Sequence, residues 1–212
     1  MPLSELSSTA QDYLKVIWTA TEWAPGPVTV TLLAGRMGVS KATASDTVRR
    51  LVEAGMLVHE PYRGVELSEL GREHAVGMVR RHRILETFLV ESLGYGWDEV
   101  HDEAESLEHA VSDTLIDRID AMLGHPARDP HGDPIPTRDG LPHLPHAILL
   151  TDAPAGVPLT VERISDADPE VLRALASRGI RPGTTLTLPL DLAPEESAAI
   201  RVSVTSPSLG SQ

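Results

Sequence analysis

Imidazole and carboxylate side chains recur at helical spacing in the middle of the chain. Four of them, three or four residues apart on one helix face, are His101, Glu105, Glu108 and His109. Earlier in the chain, His82 and Glu86 are again four residues apart. Carboxylates held close together repel unless a cation lies between them, and imidazole with carboxylate suits a divalent first-row metal. The spacing therefore indicates a metal site, and a solvated acidic helix face with surface ion pairs is the alternative.

The composition limits what such a site can contain. The chain has no cysteine, so any metal must bind His, Asp, Glu, Met or backbone atoms. The formal net charge is −13, and residues 73–124 hold four Lys and Arg against twelve Asp and Glu. Four histidines lie in this acidic segment. With neither a run of about 18 apolar residues nor a signal peptide, we expect a cytoplasmic protein without a membrane span.

His82 with Glu86, and the four residues from His101 to His109, form two rows of ligand side chains on two helices. If these helices pack antiparallel, the two rows could come together. Apolar spacing predicts a long helix from Ser68 to about Leu93, which carries the first row. Further helices are predicted over 97–109, with Asp98 in the first turn, and over 112–123.

The amino-acid composition of the rest of the chain changes twice. Residues 124–146 are rich in Pro, Gly and His, which is typical of a linker. From Ala147, apolar runs alternate with Pro and Gly turns, and residues 172–178 are predicted to form a short helix. We therefore expect a small β-rich module at the C-terminus.

The N-terminal third has the element order of a winged helix-turn-helix. The predicted elements are helices over 7–23, 29–38 and 41–54 and strands over 57–60 and 64–67. Ser40 is the expected N-cap of the third helix, and Gly55 ends it. An ordinary three-helix bundle with a hairpin is the alternative.

The third helix would enter the DNA major groove with its N-terminal end. Thr43 and Ser45 could contact bases or phosphates, and Asp46 could accept a hydrogen bond from cytosine N4. The basic side chains would contact phosphates, which sets position rather than sequence. The full set of expected DNA contacts is Ser40, Lys41, Ala42, Thr43, Ser45, Asp46, Arg49, Arg50 and, in the wing, Arg63.

Several longer motifs resemble one family of regulators. They are Asp12-Tyr13-Leu14, the helix-turn-helix with its wing, Arg81-His82-Arg83-Ile84-Leu85-Glu86, the segment from Val100 to His109, Pro130-His131-Gly132-Asp133-Pro134-Ile135-Pro136, and Gly179-Ile180-Arg181-Pro182-Gly183. On these motifs the chain resembles the diphtheria toxin repressor (DtxR) family over nearly its whole length. Within this family, it resembles the manganese transport regulator branch more closely than the iron-type members.

The resemblance implies a primary regulatory metal site. Its ligands would be Asp12, Glu105, Glu108, His109 and, as in manganese-type members, His82. Iron-type members carry Met where Asp12 stands and Cys where Glu105 stands. Oxygen ligands suit the harder Mn(II), so the resemblance implies Mn(II) as cofactor, with Fe(II) as the alternative and other divalent metals in vitro.

The resemblance also implies a secondary metal site around Glu86. One version of this site uses His82 and His101. Another uses the linker and the C-terminal module, which maps onto Asp129, His131 and Asp168. We favour the linker version, because it leaves His82 for the primary site.

The expected fold is mainly α with small β parts, in three domains. These are a winged helix-turn-helix over 1–72, a helical metal-binding and dimerisation domain over 73–140, and an SH3-like domain of the FeoA type over 147–212. The apolar faces of helices 97–109 and 112–123 are the expected dimer interface.

The expected function is a Mn(II)-dependent repressor of manganese homeostasis genes, rather than an enzyme. Metal would lock a homodimer, or two dimers per operator, in the conformation that binds double-stranded operator DNA, without any membrane partner. An Fe(II)-dependent repressor of iron-uptake genes is the alternative within the family. A metal enzyme or storage protein using the same cluster, or a winged-helix sensor of an organic ligand, are alternatives from other classes.

Overall fold

The computed structural model describes residues 6–23, 26–60, 64–137 and 146–204. The chain divides into two units, Met1–His82 with Pro136–Leu141, and Arg83–Ile135 with Pro142–Gln212.

The first unit has the predicted order of helices and strands. Its elements are α1 (Ser8–Trp23), α2 (Val30–Arg36), α3 (Lys41–Glu53), β1 (Leu57–Glu60), β2 (Gly64–Leu67) and the first half of α4 (Glu69–Leu93). The buried face of α1 presents Tyr13, Leu14 and Ile17 at helical spacing to a core shared with α2, α3 and the hairpin. This packing fixes α3 with its opposite face in solvent.

Side-chain caps fix the starts of two helices in this unit, and one close backbone contact fixes how α4 packs. Thr29 accepts a hydrogen bond from the Leu32 amide at 3.1 Å, and Ser40 accepts one from the Thr43 amide at 3.1 Å. The expected cap of the third helix is therefore present. At Gly71, an added Cβ would lie 1.9 Å from the Met56 carbonyl oxygen, so α4 packs directly on the backbone before β1.

The second half of α4 packs with α5 (Val100–Glu108) and α6 (Asp113–Met122) in the second unit. Their shared core includes Ile84, Leu85 and Ala104. We expected α5 to begin at residue 97, but it begins at Val100, so Asp98 precedes the helix instead of lying in its first turn. No helix in the described parts of the chain is long and apolar enough to cross a bilayer.

The C-terminal module is a small antiparallel sheet with two helices. The strands β3 (Ile148–Leu149), β4 (Pro158–Ile164), β5 (Thr185–Thr187) and β6 (Ile200–Val204) are ordered β3-β6-β4-β5, and the helices are α7 (Pro169–Ser177) and α8 (Pro194–Ala198). Sequence periodicity placed α7 three residues too late and missed α8, which is only five residues long. The core of the module also buries Trp97, from the α4–α5 connection.

The first part of the expected linker is folded. Asp129, His131, Asp133 and Ile135 are buried. The loop 127–135 packs on β4, where the Ile164 amide donates to the His131 carbonyl at 2.9 Å. Gly132 has φ +87°, and an added Cβ would lie 2.1 Å from the Glu162 carbonyl oxygen. The linker interpretation was therefore wrong for this stretch, and glycine is required where the loop meets the strand.

Candidate metal centre

Polar side chains from four elements of the second unit form two overlapping groups that share Glu86. Glu86 comes from α4, His101 from α5, His131 from the loop 127–135, and Asp166 from the segment after β4. His101 Nδ1 lies 3.3 Å from Glu86 Oε1 and 3.2 Å from Asp166 Oδ2. Glu86, the residue around which the secondary site was expected, is 0% exposed.

The loop residue His131 approaches Glu86 from the other side. His131 Nδ1 lies 3.7 Å from Glu86 Oε2 and makes no hydrogen bond to the described residues. Its other ring nitrogen, Nε2, lies 2.7 Å from the Trp97 carbonyl oxygen. A buried ring nitrogen beside a carboxylate with no hydrogen bond between them is a suitable place for a cation.

Asp129 uses one carboxylate oxygen to fold the loop. Its Oδ1 accepts from the backbone amides of His131 and Asp133, both at 2.9 Å. One oxygen each from Glu86, Asp129 and a nitrogen of His131 lie within 4.8 Å of one another. This set of two carboxylates and an imidazole fits a divalent metal ion.

Two arginines compensate part of the buried negative charge. Arg83 Nε lies 3.6 Å from Asp129 Oδ2, and Arg83 Nη2 lies 3.4 Å from Asp133 Oδ2. Arg163 donates from Nε to Asp133 Oδ1. These guanidiniums pair with Asp129 and Asp133, while Glu86 and Asp166 lie beside His101 and His131, so two negative charges are left for protons or one divalent cation to offset.

Without a metal, the two histidines hold protons in this cluster. Burial lowers the pKa of His101, but hydrogen bonds to Asp166 and Glu86 outweigh it and raise the pKa to about 11. Burial likewise opposes charge on His131, yet Glu86 raises its pKa to about 10. Burial, with Asp133 and Glu86 nearby, raises the pKa of Asp129 to about 8. A divalent ion would replace protons here, since ligands must be deprotonated.

Asp168 has a different role from the one expected. Its Oδ1 accepts from the amides of Glu170 at 2.9 Å and Val171 at 3.4 Å, so it caps α7. The carboxylate that reaches the cluster is Asp166, which sequence reasoning missed. Both aspartates lie in one short Ser-Asp-Ala-Asp segment. The only signal in the sequence was therefore that Asp166 lies two residues before the helix cap, Asp168.

The residues expected at the primary site lie on three elements. Glu105 and Glu108 are on α5, and His109 is its C-cap, with Nε2 3.7 Å from Glu108 Oε1. Glu108 is 0% exposed, and such a buried carboxylate needs a partner of opposite charge. Asp12 lies on α1 and His82 on α4, both in the first unit. His101 also lies 3.6 Å from Glu105, through Nε2.

The expected DNA contacts lie on the solvent face of α3. The exposed members are Ser40, Lys41, Ala42, Thr43, Ser45, Asp46, Arg49 and Arg50, whereas Arg63 lies outside the described residues. Asp46 pairs with Arg49 at 2.5 Å and with Arg50 at 3.5 Å. The hydrogen bond from Arg49 holds the pKa of Asp46 below its usual value.

Three family profiles match the chain in succession. The profile described as iron dependent repressor, N-terminal DNA binding domain, matches residues 5–65. The metal binding and dimerisation domain of the same repressors matches residues 68–137, and the FeoA domain matches residues 148–206.

Individual relatives agree with these profiles. The iron-dependent repressor IdeR of Mycobacterium tuberculosis is 33% identical over 199 residues, covering 88% of this chain and 86% of the relative. The diphtheria toxin repressor of Corynebacterium efficiens is 32% identical over 198 residues, covering 88% and 85%.

Solved structures of manganese regulators are also similar. A manganese-dependent transcriptional repressor in complex with manganese is 49% identical, with a TM-score of 0.83 over 92% of this chain and 100% of that chain. The manganese regulator SloR is 27% identical, with a TM-score of 0.79 over 92% and 98%. The chain belongs to the diphtheria toxin repressor family of metal-dependent transcriptional repressors.

Proposed function

We propose that this protein is a Mn(II)-dependent repressor of genes for manganese homeostasis. The observation that carries the proposal is the set of side chains around the buried Glu86, with Asp129 and His131 on one side and His101 and Asp166 on the other, whose donors are all oxygen or nitrogen. Hard oxygen ligands favour Mn(II) over metals that prefer sulfur. The 49% identity to a manganese-dependent repressor supports the same metal.

Two metal sites are proposed for each protomer. The primary site takes Glu105, Glu108 and His109 and, as the family resemblance implies, Asp12 and His82. The secondary site takes Glu86, Asp129, His131 and Asp166, with His101 as a further ligand or a hydrogen-bonding neighbour. This assignment replaces Asp168 by Asp166.

The carboxylates of the primary set provide the proposed control. The like charges of Glu105, Glu108 and Asp12 oppose the arrangement that would place them together, and added positive charge among them favours it. A bound divalent ion supplies that positive charge. The arrangement of α1 and α5 that holds all the ligands is then favoured, by no more than the difference in metal affinity between the two arrangements. We propose that this arrangement is the one that binds operator DNA as a dimer.

Two other functions are possible for a protein with this metal cluster, and each requires different features. An Fe(II)-dependent repressor would use the same fold, and the 33% identity to IdeR favours it as the second candidate. A metal-dependent hydrolase would need an open coordination position beside a substrate pocket. The winged-helix order of the first unit supports a DNA-binding role instead.

Metal counting tests the proposal. Protein freed of metal is dialysed against Mn(II) or, without oxygen, Fe(II), and bound metal is measured by elemental analysis. We expect two Mn(II) per protomer, and one in the Asp129→Asn variant. The exposed Asp191→Asn variant is the matched control and should still bind two. Failure of the wild-type protein to take up Mn(II) at either site would contradict the proposed metal.

A further inference from the structure

The hydrogen bond of His131 fixes which ring nitrogen is directed at Glu86 and can bind a metal. Nε2 lies 2.7 Å from the Trp97 carbonyl oxygen, which can only accept, so Nε2 carries the proton. Nδ1 is then the nitrogen that faces Glu86 Oε2 at 3.7 Å. Because the ring is 0% exposed, water cannot replace the Trp97 carbonyl as acceptor. The backbone at Trp97 therefore determines how His131 presents its ligand atom.

The position of Trp97 is in turn set by the C-terminal module. Its indole is 4% exposed and belongs to the module's core, together with residues of β4 and α7. The ring stacks on His131, with centroids 5.7 Å apart and planes at 24°. The guanidinium of Arg181 lies 4.9 Å from the indole centroid. The indole is thus held between the metal-site histidine and the SH3-like module.

We propose that Trp97 is a positioning residue of the secondary metal site, which makes the affinity of His131 Nδ1 for a divalent cation depend on packing in the FeoA-type module. This inference rests on the secondary site of the proposed function. Trp97 acts through His131 and does not itself touch the metal. Its indole is anchored in the module core, its carbonyl accepts from Nε2–H, and its ring face limits rotation of the imidazole.

The coupling works in both directions. A partner that orients a metal-binding histidine typically changes metal affinity by about 10- to 100-fold when it is lost. By linkage, a cation bound at Nδ1 stabilises the packing of Trp97 in the module core by the same factor. The module would therefore affect metal affinity through Trp97 as well as through its own ligand, Asp166.

The first test is the protonation of His131 in the wild-type protein. Long-range ¹H–¹⁵N spectra, assigned with a His131→Gln variant, report the state of each ring nitrogen. We expect Nε2 to carry a proton without metal and to keep it when the diamagnetic probe Zn(II) is added, while the Nδ1 resonance shifts. Loss of the Nε2 proton on addition of Zn(II), or an unprotonated Nε2 without metal, would overturn the inference.

The second test changes the indole and leaves every ligand in place. Trp97→Leu is expected to weaken Mn(II) binding at the secondary site by about 10- to 100-fold and to leave the primary site unchanged. Trp97→Phe, which keeps an aromatic ring, should restore most of the affinity, and Trp23→Phe on α1 is the matched control. Calorimetric titrations give both affinities, and thermal unfolding without metal shows whether each variant folds.

The outcomes separate this inference from the proposed function. If the wild type binds two Mn(II) and Trp97→Leu binds both with unchanged affinity, the role of Trp97 is wrong and the secondary site stands. If the wild type binds one Mn(II), the secondary site itself is wrong. Should Trp97→Leu not fold, Trp97→Phe and the wild-type spectra still decide, since the protonation of His131 is measured without any change at position 97.

Discussion

Asp46 is an acidic side chain within the predicted DNA-reading face. It pairs with Arg49 and Arg50, which are both expected to contact phosphates. These ion pairs are exposed and therefore contribute little to folding stability. In contact with DNA, the carboxylate would repel phosphates and compete with them for the two guanidiniums. Asp46 is thus expected to limit binding to non-operator DNA.

Asp46→Asn should therefore strengthen non-specific DNA binding. Because the two arginines lose their acidic partner, the slope of log affinity against log salt should steepen by about 1. Fluorescence anisotropy with a non-operator duplex at several salt concentrations measures this slope. Glu53→Gln, which also removes a partner of Arg49 but lies at the C-terminal end of α3, is the control and should change it less. An unchanged slope in Asp46→Asn would contradict this role.

Two ligand positions are expected to set the choice of metal. Replacing both Asp12 and Glu105 by the side chains of iron-type members, Met and Cys, exchanges oxygen donors for sulfur. Sulfur favours softer or later metals, so Asp12→Met with Glu105→Cys should shift the response toward Fe(II) or Ni(II). Titrating competing metals while DNA binding is followed measures the order in which the metals activate the protein. An unchanged order, with Mn(II) still preferred, would speak against these two ligands.

Spacing alone indicates candidate ligands only where it is regular. His101 and Glu105 lie four residues apart on α5, and the structure places their side chains 3.6 Å apart, as helical geometry requires. Asp166 lies in a short irregular segment, where no periodicity distinguishes a ligand from a helix cap. The loop residues Asp129 and His131 are proposed as ligands through family resemblance and not through spacing.

At the scale of elements, the loop 127–135 is held in place by buried charge. Arg83 from α4 donates to the Pro134 carbonyl at 2.8 Å and pairs with Asp133, and Arg163 from β4 donates to the same carboxylate. All three side chains are buried. The ion pairs therefore link helix, loop and sheet within the second unit.

Asp133→Asn should strongly destabilise this unit. Removing one partner of a buried ion pair typically costs about 3–5 kcal/mol, because the remaining guanidiniums stay buried without compensation. Thermal and urea unfolding, compared with the exposed Asp191→Asn control, measure the loss. Secondary-site Mn(II) binding should weaken in parallel, since the loop carries Asp129 and His131. A variant as stable as the control would show that this network is not needed to hold the loop.

Long amphipathic helices were predictable and short elements were not. The α1, α3 and α4 helices follow from apolar spacing, with Ser40 marking the start of α3. The five-residue α8 has too few turns to show periodicity. Residues 127–135 were misread because Pro, Gly and His are typical of linkers, whereas their folding depends on arginines distant in sequence.

At the scale of the whole molecule, the protein is a homodimer that binds DNA, as the dimerisation and DNA-binding profiles indicate. The α6 helix leaves two apolar side chains in solvent, Leu115 (45% exposed) and Met122 (60% exposed), seven residues apart on one face. Their exposure in the single chain is consistent with the expected interface on α5 and α6.

Leu115→Glu should therefore produce monomers. A carboxylate in an apolar interface loses its hydration on association, which opposes dimer formation. Analytical ultracentrifugation measures the oligomeric state, and operator binding should weaken together with dimerisation. Thr114→Glu adds the same charge about a quarter turn away on α6 and is the control. A Leu115→Glu protein that sediments as a dimer would place the interface elsewhere.

The central claim is that Mn(II) bound by His and carboxylate side chains controls DNA binding. The most direct measurement is a titration of metal-free protein against a duplex selected from a random pool in the presence of Mn(II). With Mn(II) saturating, operator affinity should exceed that with chelator by about 5- to 150-fold, the usual range for coupled sites. The Glu105→Gln, Glu108→Gln double variant should lose this difference. Equal affinity with Mn(II) and with chelator, in wild-type protein shown to have bound the metal, would contradict the account.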